Sequence, residues 1–239
     1  MLKIALLGYG KMGKAIEEIA LHKGYSVVLK VGIENLDDLT IENIQKADVA
    51  IEFSNPESAL KHILFCLENN VPVLSGTTGW LQDLPIIEEK CRQHSGTFLY
   101  ASNYSIGVNI FFELNKKLAI LMQQHTDYNV MMEEVHHTQK MDAPSGTAIT
   151  LAQQIIDCLP AKNNWVNEAQ NNPSELSIIS KRIDSVPGTH TVTYTSAIDD
   201  IEIKHTAHNR IGFAAGAIAA AEFLKDKKGI FSMKDVLGF

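Results

Sequence analysis

The stretch Lys3-Ile4-Ala5-Leu6-Leu7-Gly8-Tyr9-Gly10-Lys11-Met12-Gly13-Lys14-Ala15-Ile16-Glu17-Glu18-Ile19-Ala20 decides the fold. Ile4 to Leu7 is a short apolar run of the kind a buried parallel strand requires. From Lys14 to His22, residues Ala15, Ile16, Ile19 and Ala20 recur on one helical face. Between the two, Gly8, Tyr9, Gly10, Lys11, Met12 and Gly13 spell G-x-G-x-x-G, so the order is strand, glycine turn, helix. In that context backbone N–H groups and the helix dipole hold a dinucleotide pyrophosphate. The alternative is a tight glycine turn that binds nothing.

Working outward, β-like runs recur at Ser26–Val31, Val49–Phe53, Val71–Ser75 and Phe98–Ala101, separated by helix-like segments around Glu57–Glu68 and Leu84–His94. This alternation predicts an α/β fold with a Rossmann-type, doubly wound parallel sheet. Ligands bind such a sheet at the carboxyl ends of its strands, where Gly76, Thr77 and Thr78 form one loop and Ala101, Ser102, Asn103 and Tyr104 another. A Rossmann site for NAD usually has an acid about 20 residues past the glycines, on the ribose hydroxyls. Gly32 stands there instead, and Glu34 is the nearest carboxylate; a solvated loop acid is the competing reading. Lys30 offers a charge for a 2′-phosphate. NADH or NADPH is therefore the expected cofactor, with the choice open.

Past about residue 105 the pattern changes. A helix-like stretch, Val108 to Gln124, leads to the run Tyr128–Val135, and a further helix carries Ala148, Leu151, Ala152, Ile155 and Ile156 on one face. A polar loop at Asn163 to Pro173 precedes strand-like Leu176–Ile183, Thr191–Ser196 and Ile201–Thr206, with turns at Pro187-Gly188 and Asp199-Asp200. These elements predict a C-terminal α+β domain on a mixed or antiparallel sheet. The expected division is a dinucleotide-binding domain at 1–105, completed by a C-terminal helical segment at 210–239, and a second domain at 106–209. Gly212 and Gly216 are expected to let the closing helix pack closely.

The chemistry concentrates in Glu134-Val135-His136-His137-Thr138-Gln139-Lys140-Met141-Asp142-Ala143-Pro144-Ser145-Gly146-Thr147-Ala148. If Pro144 begins a helix, Ser145, Gly146 and Thr147 present N–H groups and hydroxyls in its first turn, a site for a carboxylate. The bland alternative is Asp142 or Ser145 as an ordinary N-cap. Adjacent side chains on a strand point to opposite faces, so only one of His136 and His137 reaches the site and the other supports it. An imidazole titrates near neutral pH and suits proton exchange, and Lys140 binds a carboxylate or delivers a proton. No metal is expected: adjacent histidines lack the helical spacing of a zinc motif, and Lys140 repels a cation. His190, His205 and His208 show no recognised spacing; His205 and His208 offer rings to one cleft, with polar residues of a sheet face the better reading.

Composition narrows the class. With 45% hydrophobic and 21% charged residues and a net charge of −7, there is no global field for nucleic acid or an anionic membrane. Cys66, Cys91 and Cys158 are odd in number and unpaired in spacing, which fits a reducing cytoplasm. The apolar run at the N-terminus is too short for a secretory signal, and no stretch reaches the roughly 20 apolar residues of a membrane helix.

Taken together, Gly8–Gly13, Phe53-Ser54, Ser75–Gly79, Ala101–Ser105 and residues 134–148 resemble the 4-hydroxy-tetrahydrodipicolinate (dihydrodipicolinate) reductase family of diaminopimelate and lysine biosynthesis. The signature E-x-H-H-x-x-x-K-x-D-x-P-S-G-T-A is matched throughout, and Arg210–Ala217 looks like that family's return into the nucleotide domain. The resemblance implies NAD(P)H-dependent reduction of a cyclic imine dicarboxylate, with His136 and Lys140 catalytic and His137, Ser145, Gly146 and Thr147 on the substrate's carboxylates. It implies cofactor contacts at Gly8–Gly13, Gly76–Thr78 and Ala101–Tyr104, and a homotetramer formed through the C-terminal sheet. The competing readings are another two-domain NAD(P)-dependent dehydrogenase, acting on aspartate or a sugar, and a nucleotide-binding protein without catalysis.

Overall fold

The structure, a computed structural model, describes every residue except Gln170, Asn171 and Arg210. The chain forms two compact units, Met1–Ile106 with Ile211–Phe239, and Gly107–Arg210.

The first unit begins with β1 (Lys3–Leu7), α1 (Lys11–His22) and β2 (Ser26–Val31). After a 3-10 turn at Ile33–Asp38 come the short α2 (Ile41–Ile44), β3 (Val49–Glu52), α3 (Pro56–Glu68), β4 (Val73–Ser75), α4 (Leu84–Gln93) and β5 (Thr97–Tyr100). Local signals set the boundaries: Asn55 caps α3 by accepting from Ser58 N at 2.9 Å, with Pro56 in its favoured first position. The strands are apolar on both faces because helices cover both sides of the sheet, and Ile4 to Leu7 are at most 1% exposed.

In the second unit the order is α5 (Ile106–Met122, its first residue still in the first unit), β6 (Asn129–His136), α6 (Gly146–Cys158), β7 (Asn164–Val166), β8 (Glu175–Arg182), β9 (Gly188–Thr195) and β10 (Asp200–Ala207). The chain then returns to the first unit as α7 (Ile211–Leu224), β11 (Gly229–Phe231) and α8 (Met233–Leu237).

The first unit's sheet runs β11-β5-β4-β3-β1-β2, parallel throughout. Its order reverses between β1 and β3, where an open α/β sheet leaves a crevice for ligands. The second unit's sheet runs β10-β9-β6-β8-β7; β9 pairs antiparallel with β6 and β10, while β8 pairs parallel with β6 and β7. It is a mixed sheet, as expected. Burial alternates strictly along β6, with Val130, Met132, Glu134 and His136 on the covered face.

Three expectations change. The polar loop at Asn163–Pro173 includes strand β7, which three residues of mixed polarity did not advertise, and its Gln170 and Asn171 lie outside the described residues. The C-terminal segment expected as helix also supplies β11, the sixth strand, paired with β5 through Gly229–Phe231; the segment's first residue, Arg210, lies outside the described residues. Of the two glycines in α7, only Gly216 is at a close approach: a Cβ there would fall 1.7 Å from the Tyr104 carbonyl oxygen, whereas at Gly212 the nearest atom is 3.8 Å away.

Candidate active site

In the first unit the glycine loop leaves β1 at the switch point. Gly8 has φ of +102°, and a Cβ there would fall 2.0 Å from the Phe53 carbonyl oxygen, so no other residue fits. Gly10 is the opposite case. It is exposed, a Cβ on it would meet nothing within 4 Å, and it begins α1 with no side-chain cap. The open side of the turn thus coincides with an uncapped helix N-terminus, which fits a dinucleotide phosphate. Lys11 is exposed and Met12 packs against the core.

Beside this loop, the Tyr9 hydroxyl donates to Glu17, and Lys30 Nζ lies 3.2 Å from Glu17 and 5.1 Å from the Tyr9 ring centroid. The Tyr9 hydrogen bond is the main cause holding the Glu17 carboxyl below its ordinary range, and Glu17 in turn raises Lys30. Lys30 is thus engaged with Glu17. At the ribose position the Gly32 N–H donates to Asn35 Oδ1 at 2.7 Å, and Glu34 is exposed on the 3-10 turn.

A buried carboxylate that sequence reading missed organises the neighbouring loops. Glu52 ends β3 with no exposure and accepts from Ser54 N at 2.8 Å, Ser54 Oγ at 2.5 Å, Ser75 Oγ at 2.5 Å and Thr77 Oγ1 at 2.9 Å. These bonds tie the ends of β3 and β4 together and fix Gly76 and Thr77, with Thr78 left exposed. An acid closing an apolar run was the available signal, since a buried carboxylate must be fully hydrogen-bonded. Ala101 and Asn103 are half-buried, Ser102 is exposed, and Asn103 Oδ1 accepts from Ser105 N. Tyr104 is 1% exposed and its hydroxyl donates to the Ser75 carbonyl at 2.8 Å. Its side chain therefore holds the β4 loop from below.

In the second unit, strand register assembles the chemical segment. Glu134 pairs with His190 on β9 and with Ser180 on β8, while His136 pairs with Arg182. Glu134 is completely buried. Its oxygens lie 3.3 Å from His136 Nδ1, 3.3 Å from Arg182 Nη2 and 3.7 Å from His190 Nε2, and both accept from Ser145 N at 3.1 Å. Burial opposes its ionisation, but His136, Ser145 and Ser180 outweigh it and hold the carboxyl well below the usual range. His190, 4% exposed, is pushed down to about 4, chiefly by burial and then by the charge of His136. A neutral His190 is thus held 3.1 Å from Ser145 Oγ.

Ser145, not Pro144, sets the start of α6: its Oγ accepts from Ala148 N at 3.2 Å, and the helix begins at Gly146. Pro144 lies just before the cap, after a cis peptide bond. Gly146 is exposed and Thr147 half-buried at the positive end of the helix dipole. Lys140 Nζ sits 2.7 and 2.8 Å from the two oxygens of Asp142, which is the main cause lowering the Asp142 carboxyl. Arg182 Nη2 donates to the Asp142 carbonyl at 2.6 Å, fastening this turn to β8. His136 is 7% exposed on the covered face; His137 lies past the strand end, half-buried, its carbonyl accepting from Lys140 N.

Glu134, Arg182 and His190 were not singled out from sequence. Glu134 was reachable, because the alternation that separates His136 from His137 places Glu134 beside His136. His190 shows no recognised spacing in the sequence; cross-strand pairing with Glu134 brings it into the cluster. His205 packs against Phe111, at 6.0 Å between ring centroids, and His208 is exposed beyond β10. Among the described residues the oxygen and nitrogen donors that converge are Glu134, His136 and His190, all within 4.8 Å of one another, rather than the adjacent histidines weighed from the sequence. Arg182 already supplies positive charge to that cluster.

Two family models cover the chain: dihydrodipicolinate reductase N-terminus over residues 2–104 and dihydrodipicolinate reductase C-terminus over residues 107–237. The 4-hydroxy-tetrahydrodipicolinate reductase of Christiangramia forsetii is 54% identical, the match covering 99% of this chain and 98% of that protein. The enzyme of the same name from Neisseria meningitidis serogroup A is 33% identical over 93% of this chain and 84% of its own. Among solved structures, a dipicolinate-bound dihydrodipicolinate reductase from Paenisporosarcina sp. TG-14 superposes with a TM-score of 0.77 at 24% identity, covering 97% of each chain, and so shares the fold.

Proposed function

The chain belongs to the dihydrodipicolinate reductase family, and on that premise we propose how its residues carry out the NAD(P)H-dependent reduction of 4-hydroxy-tetrahydrodipicolinate to tetrahydrodipicolinate, a step of diaminopimelate and lysine biosynthesis. The observation that carries the residue assignment is the convergence of His136, Arg182 and the N-terminus of α6 around the buried Glu134, with Lys140 held by Asp142 on the turn that Arg182 fastens to β8.

A bound nicotinamide would supply a hydride to a ring carbon of the substrate, and with one proton the substrate's 4-hydroxyl would leave as water. The glycine loop Gly8–Gly13 takes the pyrophosphate at the open face of Gly10, with Gly76–Thr78 and Ala101–Asn103 as further contacts. Lys140 and the first turn of α6, with Ser145, Gly146, Thr147 and the neighbouring His137, bind the two substrate carboxylates. Asp142 holds Lys140 until a substrate carboxylate replaces it. His136 is the proton-transfer residue: its Nδ1 faces Glu134, which leaves Nε2 to exchange the proton. Arg182 offsets the Glu134 charge, so the carboxylate orients His136 without repelling an anionic substrate.

Gly32 brings no carboxylate against a 2′-phosphate, and Lys11 is exposed at the loop, so both NADH and NADPH are accepted. Helices cover one face of the second unit's sheet; Met131 on the other face of β6 is 42% exposed, which supports assembly into a homotetramer through that sheet. No helix among the described residues is long and apolar enough to cross a membrane, and a cytoplasmic enzyme acting on a small cyclic dicarboxylate, without nucleic acid, is the reading. The test is initial rates with NADH and NADPH side by side, on enzymatically generated substrate. Both nucleotides should be oxidised, with kcat/KM values within about tenfold; turnover with neither sinks the proposal.

A further inference from the structure

A cavity of about 630 Å³ opens in the second unit where β6 begins. The strand is eight residues long, so Asn129 at its start is roughly 23 Å from His136 at its end, at about 3.3 Å per residue. The cavity is therefore separate from the dicarboxylate region. Its volume lies within the range that holds small organic ligands.

One of its lining residues is unusual. Lys162 is 7% exposed, and its Nζ donates to Asn129 Oδ1 at 3.0 Å and to the Glu175 carbonyl at 2.9 Å. Among the described residues no carboxylate forms an ion pair with it, and an ammonium carries three N–H donors. A buried cation without a counter-charge is costly unless something answers it. Met122, Val130 and Leu159 give the same cavity apolar wall.

We propose that this cavity binds a small organic monocarboxylate, its carboxylate held by Lys162 Nζ and its apolar body against Met122, Val130 and Leu159. Burial pushes the Lys162 ammonium down, which a bound carboxylate reverses. Charge fixes the count of one carboxylate: Lys162 is a single buried cation, and Asp127 and Glu175 also line the cavity, so a dianion or a phosphate is repelled.

Benzoate is the probe and benzamide its neutral counterpart, titrated by calorimetry into the full chain saturated with pyridine-2,6-dicarboxylate, which keeps the Lys140 region filled. Benzoate should bind, and benzamide at least about tenfold more weakly. Lys162→Met should abolish the heat, with an unchanged circular dichroism spectrum as its control. The proposal is overturned by absence of benzoate binding, by equal affinity for benzamide, by displacement of benzoate with the pyridine dicarboxylate, or by wild-type benzoate affinity in a folded Lys162→Met protein.

Discussion

At the scale of residues, the second unit stores its chemistry in one ionised carboxylate surrounded by donors. Glu134 is buried and satisfied by Ser145, with Arg182 and His136 beside it. Truncating one member of such a group costs far more than the pair is worth, because the remaining charge stays buried. His190 gives this arrangement a pH signature. The folded protein keeps it neutral down to about 4, whereas the unfolded chain takes a proton near 6.5. Between those values the unfolded state binds more protons, so stability falls as pH falls through the window. From about pH 7 to about pH 5 the loss is about 2 kcal/mol from this residue. Urea unfolding at the two pH values should show that slope in the wild type and a flatter one in His190→Gln; equal slopes would place the pH dependence elsewhere.

At the scale of elements, the role proposed for the glycine loop separates folding from binding. Gly8→Ala forces a Cβ to within 2.0 Å of backbone and strains a positive φ, so it should cost several kcal/mol, roughly 3 or more. Gly10→Ala meets nothing and should cost less than about 1 kcal/mol, yet its methyl covers the uncapped helix end and should raise the Kd for NADH about tenfold. Thermal unfolding beside fluorescence titration checks both; a Gly10→Ala protein with wild-type NADH affinity removes the loop from the cofactor site. The strand–turn–helix unit was legible because its period and its glycines agree on one conformation. Strands β7 and β11 were not, since three residues are too few to display a period of two and their pairing depends on distant partners, Glu175–Ser177 and Thr97–Leu99. The site divides the same way. Lys140 and Ser145 declared themselves by local spacing, whereas His190 enters through the β6–β9 register and Glu52 through hydroxyls 23 and 25 residues away.

At the scale of the whole molecule, the proposed assignment gives each unit its own share of the binding surface. Ligand-linked protection should therefore be local. In hydrogen exchange, NADH should slow the amides of residues 8–13 and 76–78, and pyridine-2,6-dicarboxylate those of residues 136–148; reversed or uniform protection contradicts this division.

The central claim is that His136 moves the proton and Lys140 binds the dicarboxylate, and steady-state nucleotide oxidation by the wild type, His136→Ala and Lys140→Ala proteins tests it most directly. The account predicts that His136→Ala lowers kcat by about 100-fold or more with little change in substrate affinity, while Lys140→Ala impairs both kcat and KM. Wild-type kcat in the His136→Ala protein would contradict it.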